Sequence, residues 1–390
     1  MAAIQGMRGT GQFGVDFRPK NYRELFTLLE PNGNAPLNAL LAMGSSESTD
    51  DPEYKNFRDE LPERVLTVSG AIASTSTGTI TVTSSDDNKY AIAGAILINA
   101  TTGEAMQVTA DTTGTTLTVT RNIGATSYQI ANGAKLFVAG YAAPEGGTTP
   151  TPISWDASAV SNYTQIFRTA FAVTETMKHT YLRTGNKLEE SATKALKIHM
   201  SDIERAMFFG IKSESNGSTN QPTRYTGGLL NTIDNVVDCA SNTTANTLTE
   251  DAFDELLITS IFKYGSSQKI AFVGAKVANH LQQFGKNRWK PIQLSGTYGV
   301  SLTQYTTFAG DLMVHLHPQF RQIPGMDTAM VVVDFPYLRY RYLDGRDTQL
   351  LENRQNNNED LVKHEYLTEC GLELLQSKPH ALIKNWALRA

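Results

Sequence analysis

Apolar residues recur at helical spacing over residues 187–211, and this is the clearest pattern in the chain. Steps of three and four residues separate Leu188, Ala192, Ala195 with Leu196, Ile203, and Ala206 with Met207. The charged residues are assigned to the other faces of the helix: Glu189, Glu190, Lys194, Lys197, Asp202 and Glu204. The pattern predicts one amphipathic helix of about 35 to 40 Å at ~1.5 Å per residue. We call it the spine helix.

A period of two replaces the helical spacing between about Leu61 and Pro150. Short β-branched runs such as TLTVT and AKLFVAG alternate with turn clusters such as STSTG and DTTG, which predicts a small antiparallel sheet or barrel. Within TLTVT, Leu117 and Val119 are expected on a buried face and the three threonines on a wet face. The stretch AAPEGGTTPTP reads as the linker that leaves this module.

Helical and strand patterns alternate in the second half of the chain. Thr249 is predicted to cap a helix with an apolar stripe of Phe253, Leu257 and Ile261, and Gly265 is predicted to end it. A strand (KIAFVG), a helix (AKVANHLQQFG) and two further strands (DLMVHLHP and TAMVVVDF) follow. This order predicts a sheet covered by helices.

The two ends of the chain differ in character. Residues 1–60 carry short apolar clusters around 25–29 and 37–41 that proline, asparagine and glycine separate, so we expect an arm that lies on the rest of the chain or on a neighbouring copy. The tail alternates in DLVKHEYLTECGLELLQ, which predicts a last long strand or hairpin that returns to an earlier sheet.

Composition excludes several classes of protein. With 34 basic and 39 acidic residues the formal charge is -5, so no general attraction to nucleic acid or anionic lipid is expected. Two cysteines, Cys239 and Cys370, are too few for a disulfide framework and lack the spacing of a zinc site. The first twenty residues have no signal-peptide pattern and no run of ~18 apolar residues occurs, which favours a soluble protein that folds in a reducing compartment.

Two short motifs have the letters of a binding site without its context. GTGQFG matches the dinucleotide fingerprint, but no strand precedes it and Pro19 soon follows, so a flexible glycine-rich arm is favoured. FGKNRWKP places Lys286, Arg288, Trp289 and Lys290 together, where they could hold a phosphate backbone by charge and stacking. A surface loop or a subunit contact is favoured in this acidic chain.

Histidines are the remaining candidates for chemistry. His315 and His317 lie two apart on a predicted strand, on the same face as Asp311, an arrangement that metal sites use. No further ligand lies nearby, and a solvent-facing strand edge is favoured. His199 on the spine helix is expected to be a packed or interface residue, and Asp344 with Asp347 in LDGRD to form a turn. We therefore predict no catalytic, cofactor-binding or metal-binding residues and no cofactor.

Several stretches, in this order and spacing, resemble the major capsid protein of tailed bacteriophages with the Hong Kong 97-type fold, in particular the branch with an inserted β domain. They are LFTLLEPNGNAPLNALLAMG, GEAMQVTADTTGTTLTVTRN, NYTQIFRTAFAVTETM with the following spine helix, the Gly227–Leu230 turn, and the C-terminal stretch from VVVDFPYLRYRYLDGRD to PHALIKNW. Each is a weak motif alone. Together they span nearly the whole chain.

The resemblance implies an α+β fold with a defined division of the chain. It places an N-terminal arm at 1–60, an inserted β module with the extended-loop region at 61–152, a peripheral domain at 153–225 with the spine helix at 187–211, an axial domain at about 226–340, and a C-terminal return to the peripheral domain at 341–390.

The function that the resemblance implies is self-assembly as pentamers and hexamers into an icosahedral head around double-stranded DNA, without sequence-specific DNA binding, a membrane or enzymatic activity. Scaffolding, portal and decoration proteins are the further partners it suggests, with assembly in the host cytoplasm. Some members link a lysine to an asparagine of another subunit, and no residue here is matched to that chemistry. Two alternatives stay open: a tail or adhesion protein led by the β module, and a metal-dependent enzyme that uses His315 and His317.

Overall fold

The computed structural model describes residues 35–37, 46–61, 63–111, 114–124, 126–180, 185–216, 221–239, 248–284, 289–292 and 302–386. The chain divides into two compact units. Residues 57–159 form one, which we call the β module, and residues 1–56 with 160–390 form the other, which we call the main unit. Most of the predicted arm, including GTGQFG and the apolar cluster at 25–29, lies outside the described residues.

Helices and strands alternate along the described chain. The α-helices are α1 (Ser85–Asn88), α2 (Glu175–His179), α3 (Lys187–Phe209), α4 (Leu229–Thr232), α5 (Glu250–Leu256) and α6 (Ala275–Phe284). The strands up to the end of the β module are β1 (Ser46–Thr49), β2 (Glu53–Arg58), β3 (Val65–Thr67), β4 (Thr79–Thr81), β5 (Ala95–Asn99), β6 (Ala105–Val108), β7 (Thr116–Thr120), β8 (Lys135–Tyr141) and β9 (Ser158–Tyr163). The later strands are β10 (Gln165–Thr174), β11 (Ser213–Asn216), β12 (Pro222–Tyr225), β13 (Val236–Asp238), β14 (Gln268–Val273), β15 (Trp289–Ile292), β16 (Leu302–Thr306), β17 (Asp311–Leu316), β18 (Met330–Val333), β19 (Leu338–Leu343), β20 (Gln349–Leu351), β21 (Leu361–Leu374) and β22 (Ala381–Lys384).

The β module is a six-stranded antiparallel sheet in the order β3-β8-β5-β6-β7-β4. Strand β7 alternates as predicted, with Leu117 and Val119 buried and its three threonines exposed. Beside it, Arg121 donates to both carboxylate oxygens of Glu104, and both side chains are nearly inaccessible to solvent. The module therefore has its own apolar core and one buried ion pair, both formed within its own residues.

The first sheet of the main unit has the order β1-β19-β21-β10, with β20 also on β21. The long strand β21 has 14 residues and pairs antiparallel with β10 over its whole ten-residue length. This confirms the prediction that the alternating tail returns to an earlier sheet as a long strand.

The second sheet has seven strands in the order β13-β22-β18-β14-β17-β16-β15 and is buried on both faces at its centre. In β18, Val331 and Val333 face the core that contains the spine helix, while Met330 and Val332 face a second core under α5 and α6. A sheet buried on both faces needs apolar residues at consecutive positions, which explains the run MVVV. Helices cover this sheet as predicted.

The last strand lies in the second sheet. Strand β22 pairs with β18 and β13 there, whereas β20 and β21 lie in the first sheet. Residues 341–390 therefore contribute strands to both sheets. The four residues of β22 are too few for periodicity to select a sheet.

The spine helix α3 runs over Lys187–Phe209, two residues shorter than predicted. Asn186 caps its start by accepting the backbone N–H of Leu188. The helix ends where the backbones of Gly210 and Gly228 meet, and Gly228 N donates to Gly210 O at 2.8 Å. A Cβ at Gly210 would lie 2.3 Å from the carbonyl oxygen of Thr226, so only glycine fits here. The α+β class is confirmed, and no helix among the described residues is long and apolar enough to cross a membrane.

Candidate assembly surfaces

Glu204 lies at the centre of the main unit and is completely buried. Its Oε1 atom lies 2.9 Å from Nε2 of His317 and accepts the backbone N–H of Leu37 at 2.9 Å. One carboxylate thus joins the spine helix, the end of β17 and a piece of the N-terminal arm. Helical periodicity assigned Glu204 to a face other than the apolar stripe and gave no sign of its burial, because its partners are 113 and 167 positions away.

The two candidate metal-binding histidines have different surroundings. His317 follows β17 directly, is fully buried, and stacks on Phe320 at 4.4 Å between ring centroids. His315 is half-buried on β17, with its ring 6.2 Å from that of Phe272. The prediction of a solvent-facing pair is therefore wrong for His317. Among the described residues, no three His, Cys, Asp or Glu side chains lie close enough together to bind a metal.

Part of the predicted arm packs on its own chain. Leu37 is fully buried in the core that also contains Phe208 of the spine helix and Leu372 of β21. This agrees with the expectation that the apolar clusters of the arm need a surface. Residues 38–45, which contain the rest of that cluster, lie outside the described chain.

His199 is a packed histidine, as predicted. Its two ring nitrogens lie 3.0 Å from the hydroxyl of Thr169 and 2.8 Å from that of Thr368, so it joins the spine helix to β10 and β21. Burial lowers the pKa of His199, which keeps the ring neutral at pH 7.

Strand β21 presents a row of buried glutamates on one face. Glu365, Glu369 and Glu373 are spaced by four residues, so their side chains point to the same side of the strand. Each is paired with an arginine: Glu365 with Arg168 at 2.7 Å, Glu369 with Arg346 at 2.6 Å, and Glu373 with Arg341 at 2.5 Å. Sequence reasoning missed this row, although three glutamates at i, i+4 and i+8 in an alternating strand are a readable signal.

Lys269 is a buried cation of the main unit. Its ammonium group donates to the backbone carbonyls of Ile261, Tyr264 and Pro379 at 2.6 to 2.7 Å. Burial lowers the pKa of Lys269 to about 8, and nearby Asp334 acts in the opposite direction. The side chain holds the segment after α5, the start of β14 and the segment before β22 together.

The cysteines and the aspartates of LDGRD, which were the other candidates from the sequence, lie in a core or a turn. Cys239 and Cys370 are buried and form no disulfide, and burial raises the pKa of their thiols to about 11 and about 12. Asp344 starts the turn after β19, as predicted, and Asp347 accepts the Tyr340 hydroxyl at 3.1 Å. For FGKNRWKP, residues 285–288 lie outside the described chain, as do the side chains of Trp289 and Lys290.

Large apolar side chains on the surface are the features that suit self-association. In the β module, Phe57 and Leu61 are 77% and 83% exposed. In the main unit, Phe308 at the turn between β16 and β17 is fully exposed, and Ile211 and Ile166 are more than half exposed. Burial of such side chains at a contact between copies would be favourable.

Comparison with known proteins gives matches along nearly the whole chain. The SU10 major capsid protein family matches residues 8–387. A major capsid protein of Pseudomonas phage PaMx41 is 30% identical over 371 residues, which cover 92% of this chain and 87% of that protein. Among solved structures, the capsid of Myoviridae phage XM1 is similar with a TM-score of 0.44 and 11% identity, over 98% of this chain and 99% of that one. A chain of Mycobacterium phage Bobi has a TM-score of 0.46 and 9% identity, over 95% and 96% of the two chains.

Proposed function

This chain belongs to the SU10 major capsid protein family, and on that premise we propose that it assembles as pentamers and hexamers into an icosahedral phage head. The observation that carries the proposal is the family match over residues 8–387, together with a phage major capsid protein that is 30% identical over 92% of the chain. A major capsid protein is part of the virion. Its activity is association with copies of itself.

The surface chemistry supports this function. Separate exposed apolar side chains, such as Phe57 in the β module and Phe308 in the main unit, provide contacts that one copy alone leaves open to water. Repeated contacts between identical subunits add up over a closed surface. The mild negative charge of -5 suits a container, because a strongly basic lining would hold the DNA tightly.

We propose the Hong Kong 97-type arrangement for the main unit, with the β module inserted in its extended loop. Strands β2 and β9 pair with each other, and both limits of the β module fall within this ribbon. A unit whose two ends leave through neighbouring strands can be inserted into a loop without disturbing the host fold. The peripheral and axial domains would then correspond to the first and second sheets.

The finer partner predictions follow from the same family membership. We propose that the shell encloses double-stranded DNA without sequence-specific contacts, that scaffolding, portal and decoration proteins bind it, and that assembly takes place in the host cytoplasm. We also propose that the chain has no enzymatic role. His317, the main candidate for a metal-dependent alternative, is buried against Glu204 and the ring of Phe320.

Sedimentation velocity and negative-stain microscopy of the purified full chain test the proposal. We expect closed shells, or rings of five and six subunits, at micromolar concentration. Elongated trimers would instead support the tail or adhesion alternative. A persistent monomer at high concentration would count against both. Replacement of His315 by alanine tests the enzyme alternative: a coat protein should still assemble, whereas a metal-dependent enzyme should lose turnover. His317 is buried, so we expect its replacement by alanine to lower stability as well.

A further inference from the structure

Strand β10 is an open edge of the first sheet. The sheet has the order β1-β19-β21-β10, so β10 pairs with β21 on one side. Within the part of the chain that the structure describes, no strand pairs with the other side of β10. In an antiparallel pair, alternate residues of an edge strand turn their backbone N–H and C=O groups away from the partner. β10 therefore offers a row of hydrogen-bonding groups to a further strand.

The other described sheet edges are closed or shorter. In the β module, the edge strands β3 and β4 meet, since Ser69 N donates to Thr81 O at 2.8 Å and Thr83 N donates to Thr67 O at 2.9 Å. Closure of a sheet on itself removes its free edges. The edge strands β1, β13 and β15 have three or four residues, and β2 and β9 have six. With ten residues, β10 is the longest edge strand among the described residues.

The sequence of β10, QIFRTAFAVT, lacks the features that usually protect a strand edge. Such features are prolines, several charged side chains and bulges. Arg168 is its single charged residue and is bound to Glu365 at 2.7 Å, and the pairing with β21 continues without a register shift over the whole strand. A long, regular and unprotected edge favours pairing with another chain.

The face of β10 that points away from the spine helix is also open. Thr169 contacts His199 of the spine helix, so the odd-numbered residues face that helix and the even-numbered residues face the other way. On this second face Ile166 is more than half exposed, and Ala170 and Ala172 are exposed. A strand added at the edge would cover part of this small, apolar surface as well.

We propose that β10 pairs with β10 of a second copy, antiparallel about a twofold axis at Ala170. Such a contact uses the same edge on both copies, and the first sheets of two subunits then continue into each other. The inference rests on the proposed function, because it describes how copies of this chain meet in a shell, and an icosahedral shell contains twofold axes.

The charge of Arg168 selects this register. With the axis at Ala170, residues 166–174 of the two copies overlap, and Arg168 lies opposite Ala172 of the second copy. An axis at Thr169 would overlap as many residues but would bring the two arginines onto diagonal positions about 7 to 8 Å apart. Like charges at close cross-strand positions are unfavourable, so the axis at Ala170 is preferred.

Disulfide trapping with Ala170→Cys in the full chain tests the contact. Residues directly opposite in an antiparallel pair have Cα atoms about 4.5 to 5.5 Å apart, which a disulfide can span. The two native cysteines are buried and serve as an unreactive background. With diamide as the oxidant, we expect a covalent dimer on denaturing gels and no higher oligomers.

Ala172→Cys is the matched control for the cross-link. This position is exposed on the same face of β10, two residues further along. In the proposed register its two copies are offset by four residues, about 14 Å at ~3.4 Å per residue, which is too far for a disulfide. We therefore expect at least about tenfold less dimer than from Ala170→Cys.

Ala170→Lys tests the contact without a cross-link. Ala170 lies opposite Glu365 in its own sheet, so lysine suits the fold, but two ammonium groups would face each other at the axis. We expect the protein concentration for half-maximal assembly, followed by light scattering, to rise about twofold to fivefold, with an unchanged unfolding temperature. Ala170→Ser should leave this concentration unchanged. The same value for the lysine and serine variants would count against the contact.

The outcomes separate this inference from the proposed function. Normal shells of Ala170→Cys without dimers would overturn the inference and leave the function standing. Equal dimer yields from Ala170→Cys and Ala172→Cys would also overturn it. Protection of the introduced thiol from a maleimide, again without dimers, would show that another segment or protein covers the edge, which contradicts the inference. Specific dimers from a protein that never forms shells would support the contact and count against the proposed shell.

Discussion

The β module and the main unit are stabilised in different ways. In the β module, the buried ion pair joins Arg121 and Glu104, which are only 17 positions apart, and each strand buries alternate residues against its neighbours. In the main unit, the buried carboxylate of Glu204 contacts partners 113 and 167 positions away. The buried charge of the β module has its partner nearby in the chain, whereas that of the main unit joins distant segments. Sequence patterns can therefore predict contacts between neighbouring segments of this subunit but not those between distant ones.

Removal of the Glu204 carboxylate is expected to have the largest effect. Glu204→Leu leaves the His317 ring nitrogen and the Leu37 N–H without their acceptor in a dry core, which should lower the free energy of unfolding of the main unit by about 3 to 5 kcal/mol. The loss of stability is measured by chemical denaturation, and hydrogen exchange shows whether it is confined to the main unit. Asp202→Asn, at an exposed position of the same helix, is the control and should cost under about 0.5 kcal/mol.

Equal costs for Glu204→Leu and Asp202→Asn would show that the long-range contact contributes nothing, and the contrast between the two units would then lose its basis. Glu204→Gln keeps an acceptor at the same place, so a cost between those of the other two variants is expected.

A core truncation in the β module should have a local effect of similar or smaller size. Leu117→Ala removes a fully buried side chain and should cost about 2 to 5 kcal/mol. Because the module has its own core, hydrogen exchange should accelerate in residues 57–159 and stay unchanged in the main unit. Thr118→Ala on the exposed face is the matched control. Faster exchange throughout both units would mean that they unfold as one.

Gly210→Ala should have an intermediate effect in the main unit. The added methyl group would lie 2.3 and 2.5 Å from the carbonyl oxygens of Thr226 and Ala206. The end of the spine helix and the turn at Gly228 must therefore move apart. We expect a loss of about 1 to 3 kcal/mol, measured as a lower denaturation midpoint. Gly140→Ala in the β module meets no atom within 4 Å and should be nearly neutral. A neutral Gly210→Ala would contradict the steric explanation for the end of the helix.

The smallest expected effect is a pH dependence confined to the main unit. The pKa of His199 is lower in the folded chain than the ~6.5 of an exposed histidine, so below that pH the unfolded state binds more protons. Stability from this group is therefore complete above about pH 6.5 and is lost as the pH falls. The slope of stability against pH between 5 and 7 should be smaller in His199→Gln. An identical slope in both proteins would rule out this role.

Sequence patterns predicted the local features of both units. The alternation in β7, the long strand β21, the capped start of α5 and the position of the spine helix all follow from residues that are neighbours in the chain. Periodicity also assigned His199 correctly to a packed environment, since it lies beside the apolar stripe.

The features that sequence reasoning missed all depend on distant partners. Glu204 was grouped with the other charged residues outside the apolar stripe, and only the fold brings His317 and Leu37 to it. The arginines of the β21 row come from two other segments of the chain, β10 and β19 with the turn after it. The place of β22 in the second sheet was equally invisible, since a four-residue strand carries no preference for one sheet over another.

Electron cryo-microscopy of particles formed by the purified full chain tests the central claim most directly. The account predicts a closed shell with fivefold vertices, in which the main unit repeats around five- and sixfold axes. A particle of one compact copy, or an elongated trimer without such axes, would contradict it.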